Sequence, residues 1–213
     1  MPPISKGVTA SHCIPGWSNQ IIILGICGRR GHGKDTLAGF LADHGYKRAA
    51  FADRLKDTAT RLFDLSYRQA HGSVTEKETP DPRWTTVAHP EGLTPRFILQ
   101  QLGTEVARTI HPDVWARALL HDIAAVAQGL SPDAIIRFAV SDVRFPNEVD
   151  AIRACGGKIV KVVRKDYAVD AAIDAHASES SIDLIDPDYM VVAASGEMDV
   201  LREAAAAIAR DQA

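Results

Sequence analysis

The stretch IIILGICGRRGHGKDT, Ile21 to Thr36, joins an apolar run to a glycine-rich turn and then to helix-forming sequence. Strand, glycine loop and helix in that order make a phosphate cradle, a P-loop. Gly28, Gly31 and Gly33 let the backbone curl with its N–H groups pointing inward. The helix beginning near Lys34 aims its positive end at the same point, and Lys34 adds a mobile cation for the outer phosphates. The predicted ligand is a nucleoside polyphosphate, held by Gly28, Arg29, Gly31, His32, Gly33, Lys34, Asp35 and Thr36. One position departs from G-x-x-x-x-G-K-[ST]: Asp35 stands where a hydroxyl ordinarily touches Mg2+. A carboxylate beside phosphates requires a neutralising cation, so Asp35 is read as a ligand of Mg2+, directly or through water. The alternative is a chance glycine turn with Asp35 as a helix cap, which the correct flanking elements oppose.

The rest of the chain alternates helical and strand patterns. Helices are predicted at 36–44, at 55–63, from Thr94-Pro95 through Val106, at 114–128, at 146–154 and at 198–208. Strands are predicted at 46–51, 135–140, 158–163 and 189–192. Such alternation implies an α/β fold on a parallel sheet, with ligands beyond the C-terminal ends of the strands. Residues 66–93 are polar, with Pro80, Pro82 and Pro90, and read as a long inserted loop in one domain spanning 21–213. Residues 1–20, rich in Pro and Gly, read as a flexible extension.

Composition narrows the function. Net charge is −3 and no long Lys/Arg run occurs, so stable nucleic-acid binding is not expected. No stretch reaches the length of a membrane span, and no signal pattern opens the chain. The three cysteines form no CxxC pair, as in a reduced cytoplasmic protein.

Charged residues at predicted strand ends are the remaining candidates. Asp142 follows the strand at 135–140, where a carboxylate orders Mg2+, or else it caps a turn. Arg144 is two residues further, close enough for a phosphate, or else a solvated surface arginine or a partner of Glu148. The second strand runs into Asp53, Arg54 and Lys56. Asp53 is expected to cap the next helix, and Arg54 or Lys56 to contact the phosphate of a second substrate. Arg96 and Gln100, four apart, share a helix face that offers a fork for phosphate and an amide for a base edge, with Arg108 beyond them. That pairing suits a nucleoside monophosphate.

These segments resemble the deoxynucleoside monophosphate kinases of tailed bacteriophages. The matching residues are GRRGHGKDT at Gly28, FADRLK at Phe51, TPRFILQQLGTEVAR at Thr94, SDVRFPNEVDAI at Ser141, GGKIVKVVR at Gly156 and HASE at His176. The GKD departure is similar to that family too. The resemblance implies transfer of the γ-phosphoryl group of ATP, with Mg2+, to a 5′-deoxynucleoside monophosphate (dNMP), to supply DNA precursors. It implies a P-loop NTPase three-layer sandwich with a five-stranded parallel sheet, a helical region for the monophosphate and a lid. Carried over by position, Gly28 to Thr36 take ATP, and Arg96 with the start of the FADRLK helix serves the acceptor. Asp142 and Arg144 then lie at the reaction centre, and Arg164 opens a lid over 164–177, with His176 and Glu179 of HASE helping to close the site. A homodimer is compatible with the family, as is a host-cytoplasmic location for a phage-encoded protein. The other readings are a dephospho-coenzyme A, adenylate or phosphomevalonate kinase, and a nucleotide-binding regulatory protein.

Overall fold

The computed structural model describes residues 20–131, 134–166 and 181–212. The predicted extension, up to residue 19, and the lid beyond residue 166, with His176 and Glu179, lie outside the described residues. The described chain groups into two compact units, one running to Ala50 and resuming at Leu119, the other Phe51–Ala118. Both fall within the stretch expected as one domain.

The first unit is a five-stranded sheet. Strand β1 (Gln20–Cys27) is its centre, in the order β2-β3-β1-β4-β5. The others are β2 (Tyr46–Ala49), β3 (Ile135–Val143), β4 (Lys158–Arg164) and β5 (Tyr189–Ala193), and every pairing is parallel. A strand covered on both faces must be apolar on both, which explains the unbroken run in β1: Ile23, Leu24, Ile26 and Cys27 are all buried.

Alternate residues of β1 meet different helices. Leu24 and Ile26 join one core with Leu37, Ala38 and Leu41 of α1 (Lys34–Ala42) and Leu201, Ala205 and Ile208 of α9 (Met198–Asp211). Gly25 faces α8 (Pro146–Ala154): a Cβ there would sit 2.6 Å from Ile152 Cδ1. Helices therefore cover both faces, giving the expected three layers. Each fully buried Leu or Ile side chain contributes roughly 1.5–3 kcal/mol. Helix α7 (Val114–Gln128) has the predicted bounds and leads the chain back into this unit.

The second unit is helical. It holds α2 (Ala52–Phe63), α3 (Tyr67–His71), α4 (Val74–Glu78), α5 (Pro95–Gln100), a π-helical segment at Gln101–Val106 and α6 (Ala107–Ile110). Its core is Ala59, Leu65 and Ile98, with Phe63, Trp84, Leu93, Leu99 and Leu102 packed against them. Two expectations need correction here. Residues 66–93 are not one long loop: α3 and α4 each start from a capping box, Ser66 with Gln69 and Ser73 with Glu76. The predicted continuous helix from Thr94 to Val106 is broken after Gln100 by the π segment. There Trp115 Nε1 donates to Gly103 O over 2.8 Å, and Leu55 closes on Gly103 so tightly that a Cβ would lie 2.7 Å from its Cδ2.

Candidate active site

The glycine loop has the shape expected of it. Gly28, Gly31 and Gly33 carry φ angles of +146°, +79° and +90°, which side chains oppose. At Gly28 the neighbours forbid one as well, since a Cβ would meet Val162 O of β4 at 2.4 Å. Gly33 is the N-cap of α1 in the left-handed region, and Leu37 N closes the first turn on Gly33 O at 2.9 Å. Thr36 is half-buried in that turn. Lys34 is buried, and its Nζ donates to Arg29 O over 2.8 Å, so the ammonium lies folded across the loop.

Two side chains tie the loop to its surroundings. His32 Nδ1 lies 3.2 Å from Val162 O and 3.4 Å from Arg164 N, which anchors the loop tip to the end of β4. Arg29 pairs with Asp183 at 2.7 Å. Burial pushes the Cys27 thiol up to about 11, although Lys161 and Lys34 pull the other way. It is therefore a neutral packing group at the root of the loop and no nucleophile.

Asp142 belongs to β3 rather than to the turn after it. The register with β1 runs Gly25↔Val140 and then Cys27↔Val143, so β3 holds one extra residue around Ser141 and Asp142. Such a bulge bends a strand and re-aims side chains, here beside the point where β1 becomes the loop. Arg144 follows directly. Its N–H and that of Phe145 donate to Glu148 Oε2 at 2.8 and 3.1 Å. The Glu148 carboxylate is buried and fixes the backbone that carries Arg144 at the entry to α8.

Asp35 is exposed, and Arg48 Nη2 of β2 sits 2.5 Å from its Oδ1. Sequence reasoning missed Arg48, an exposed residue on a short edge strand with no local signal. Arg164 ends β4, and its Nε donates to Asp166 Oδ1 over 3.0 Å. The same oxygen accepts Ser195 N–H, and the Arg164 bond, before the others, holds the Asp166 carboxyl below its usual range. The first unit thus brings the loop, Asp142 and Arg164 to the C-terminal ends of β1, β3 and β4.

The residues expected for an acceptor all lie in the second unit. Asp53 is not the helix cap. Phe51 holds that position, and Asp53 stands inside the first turn of α2, 3.9 Å from Lys56 Nζ. Arg54 shares that turn. Arg96 Nε donates to Glu78 Oε1 over 3.0 Å. Gln100 remains one helical turn from Arg96, because both lie within α5. Arg108 follows the π segment, which changes the helical phase, and its Nη1 bonds Pro112 O at 3.3 Å.

The sequence pattern of the family described as "Deoxynucleotide monophosphate kinase" matches residues 76–204, more than half of the chain. That span starts well beyond the glycine loop, so the two signals are independent. A protein of Acanthamoeba polyphaga mimivirus, described as "Putative deoxynucleotide monophosphate kinase", is 37% identical over 167 residues, covering 75% of this chain and 81% of its own. The solved structure of TT1252 from Thermus thermophilus aligns with a TM-score of 0.46 at 14% identity, over 90% of this chain and 98% of that one. With the family pattern across more than half of the chain and a relative 37% identical over the 167 aligned residues, the chain belongs to the deoxynucleotide monophosphate kinase family.

Proposed function

We propose that the protein transfers the γ-phosphoryl group of ATP to a 5′-deoxynucleoside monophosphate, yielding ADP and the diphosphate. The observation that carries this reading is the loop from Gly28 to Gly33: three glycines at positive φ, one pressed on Val162 O, with Lys34 folded over them. Backbone N–H groups gathered at a helix start suit phosphate oxygens, and the Lys34 ammonium, now on Arg29 O, lies across the same loop.

A divalent cation fits the same place. Asp35 already holds a cationic group, the Arg48 guanidinium, and Asp142 stands where β1 becomes the loop. Among the described residues no three His, Cys, Asp or Glu side chains gather around one point. Mg2+ suits such a site, since it takes one or two carboxylates and completes its shell with phosphate oxygens and water. When bound it would neutralise charge on the outer phosphates. Asp35 and Asp142 are the residues to hold it.

The acceptor is an ionised phosphate, so the protein needs alignment and positive charge more than a strong base. Lys34, Arg144 and Arg164 supply that charge from the first unit. Asp53, Arg54, Lys56, Arg96, Gln100 and Arg108 of the second unit serve the monophosphate. The family match and the 37% identical relative support this choice of acceptor class.

An ADP-release assay across the four dNMPs, AMP, dephospho-coenzyme A and phosphomevalonate tests the reading. The expected result is turnover with at least one dNMP and its loss by orders of magnitude in Lys34→Ala. Turnover only on AMP, dephospho-coenzyme A or phosphomevalonate would overturn it in favour of another kinase, and ATP binding without turnover on any acceptor in favour of a nucleotide-dependent switch.

A further inference from the structure

Asp35 directly follows Lys34 in the first turn of α1, at the position expected to bind the cation, yet its Oδ1 is taken by Arg48 at 2.5 Å. Arg48 lies in the C-terminal half of β2, the end of a parallel strand at which ligands collect. The two side chains are 71% and 59% exposed, so water reaches both and no burial locks the pair. An ion pair of that kind exchanges readily with other charges in solution.

We infer that Arg48 is a positioning residue that holds Asp35 in place of the divalent cation, and that metal arriving with ATP displaces it. This rests on the proposed Mg·ATP site. Two cations on one carboxylate oxygen repel each other, so metal and guanidinium compete whether the metal binds directly or through water. The pair also has a second effect. While Arg48 neutralises Asp35, a nucleotide without metal does not meet a bare carboxylate beside its phosphates. Removing Arg48 should therefore act with opposite signs, strengthening metal binding and weakening metal-free nucleotide binding. An ornamental surface pair would move neither.

The test uses the full chain with a non-hydrolysable ATP analogue. Mn2+ uptake is followed by electron paramagnetic resonance, and analogue binding in EDTA by calorimetry. In Arg48→Gln the Mn2+ affinity should rise about two- to five-fold, the factor an exposed ion pair ordinarily represents, while the metal-free analogue binds more weakly. Arg48→Lys, which keeps the charge, should fall between. In an Asp35→Asn background, Arg48→Gln should change Mn2+ affinity no further. Unchanged or weaker Mn2+ binding in Arg48→Gln overturns the inference, as does a full shift that persists without Asp35. Wild-type protein that binds neither analogue nor Mn2+ overturns the site itself, and so separates that failure from failure of the exchange.

Discussion

Arg83 Nη2 lies 2.7 Å from Asp81 Oδ2, and this pair organises the segment between α4 and α5. Asp81 is buried, Arg83 Nε and N–H also bond its Oδ1, and Gln69 Nε2 donates to Oδ2. The same guanidinium reaches Asp64. The Arg83 hydrogen bonds, helped by Gln69 and opposed by burial, hold the Asp81 carboxyl well below the usual carboxylate range.

Asp81→Asn should cost the protein about 2–3 kcal/mol at neutral pH, because charged hydrogen bonds to a buried group are lost. The sign with pH follows from the depressed folded value. The stabilisation is complete above the unfolded carboxyl's value of about 4 and fades as pH falls below it. Urea midpoints of wild type and variant should therefore differ at pH 7, start to draw together below about pH 4 and meet only below the depressed folded value. A gap that stayed constant would assign the cost to packing instead.

The parts of this fold legible in the sequence are those whose cause is local. The β1 run and the glycine loop each carry their reason in adjacent residues, and α7 and α8 have the predicted bounds. The capping boxes Ser66/Gln69 and Ser73/Glu76 were also local, but prolines and polar residues around them masked two short helices. The π segment depends on Leu55 and Trp115 closing on Gly103, contacts 48 and 12 residues away in the chain. The bulge at Ser141 and Asp142 arises only from pairing with β1, and the Asp35–Arg48 pair only from folding β2 back near α1. Long-range placement decides such features, and periodicity does not record it.

Gly28 and Gly31 should respond differently to alanine. At Gly28 an added methyl meets Val162 O at 2.4 Å, a backbone atom that cannot step aside, so Gly28→Ala should abolish measurable nucleotide binding and lower the melting temperature. At Gly31, among the described residues, no atom beyond its chain neighbours lies within 4 Å of an added Cβ, and the +79° φ is what resists it. Gly31→Ala should cost about 1–2 kcal/mol and keep binding within roughly ten-fold. Calorimetry with an ATP analogue checks both, and equal losses would mean that neighbouring atoms do not set the Gly28 requirement.

Glu78 competes with any phosphate for Arg96, since its Oε1 lies 3.0 Å from Arg96 Nε. If Arg96 takes the acceptor, Glu78→Gln should lower KM for the dNMP by about two- to five-fold, the range of a partly exposed pair. Arg96→Ala should raise it by at least ten-fold with KM for ATP unchanged. Steady-state kinetics with each substrate varied in turn decides the matter. An unchanged dNMP KM in Arg96→Ala removes Arg96 from the acceptor site.

Arg164 offers the sharpest test of the transfer step. Its backbone N–H lies 3.4 Å from His32 Nδ1, and its side chain is braced by Asp166, which Ser195 N–H holds in turn. A cation fixed in this way at the end of β4 is pre-aligned, which is how charge placement lowers a barrier. Arg164→Ala should reduce kcat by about 100-fold or more and leave ATP affinity within a few-fold. Arg164→Lys should recover little, because an ammonium cannot both bond Asp166 and present a planar fork. Asp166→Ala keeps the cation but removes its brace, so kcat should fall less, roughly five- to ten-fold. The order of these three variants is the decisive reading. If Asp166→Ala and Arg164→Ala lost stability equally and kept wild-type kcat, the pair would only be closing the loop between β5 and α9.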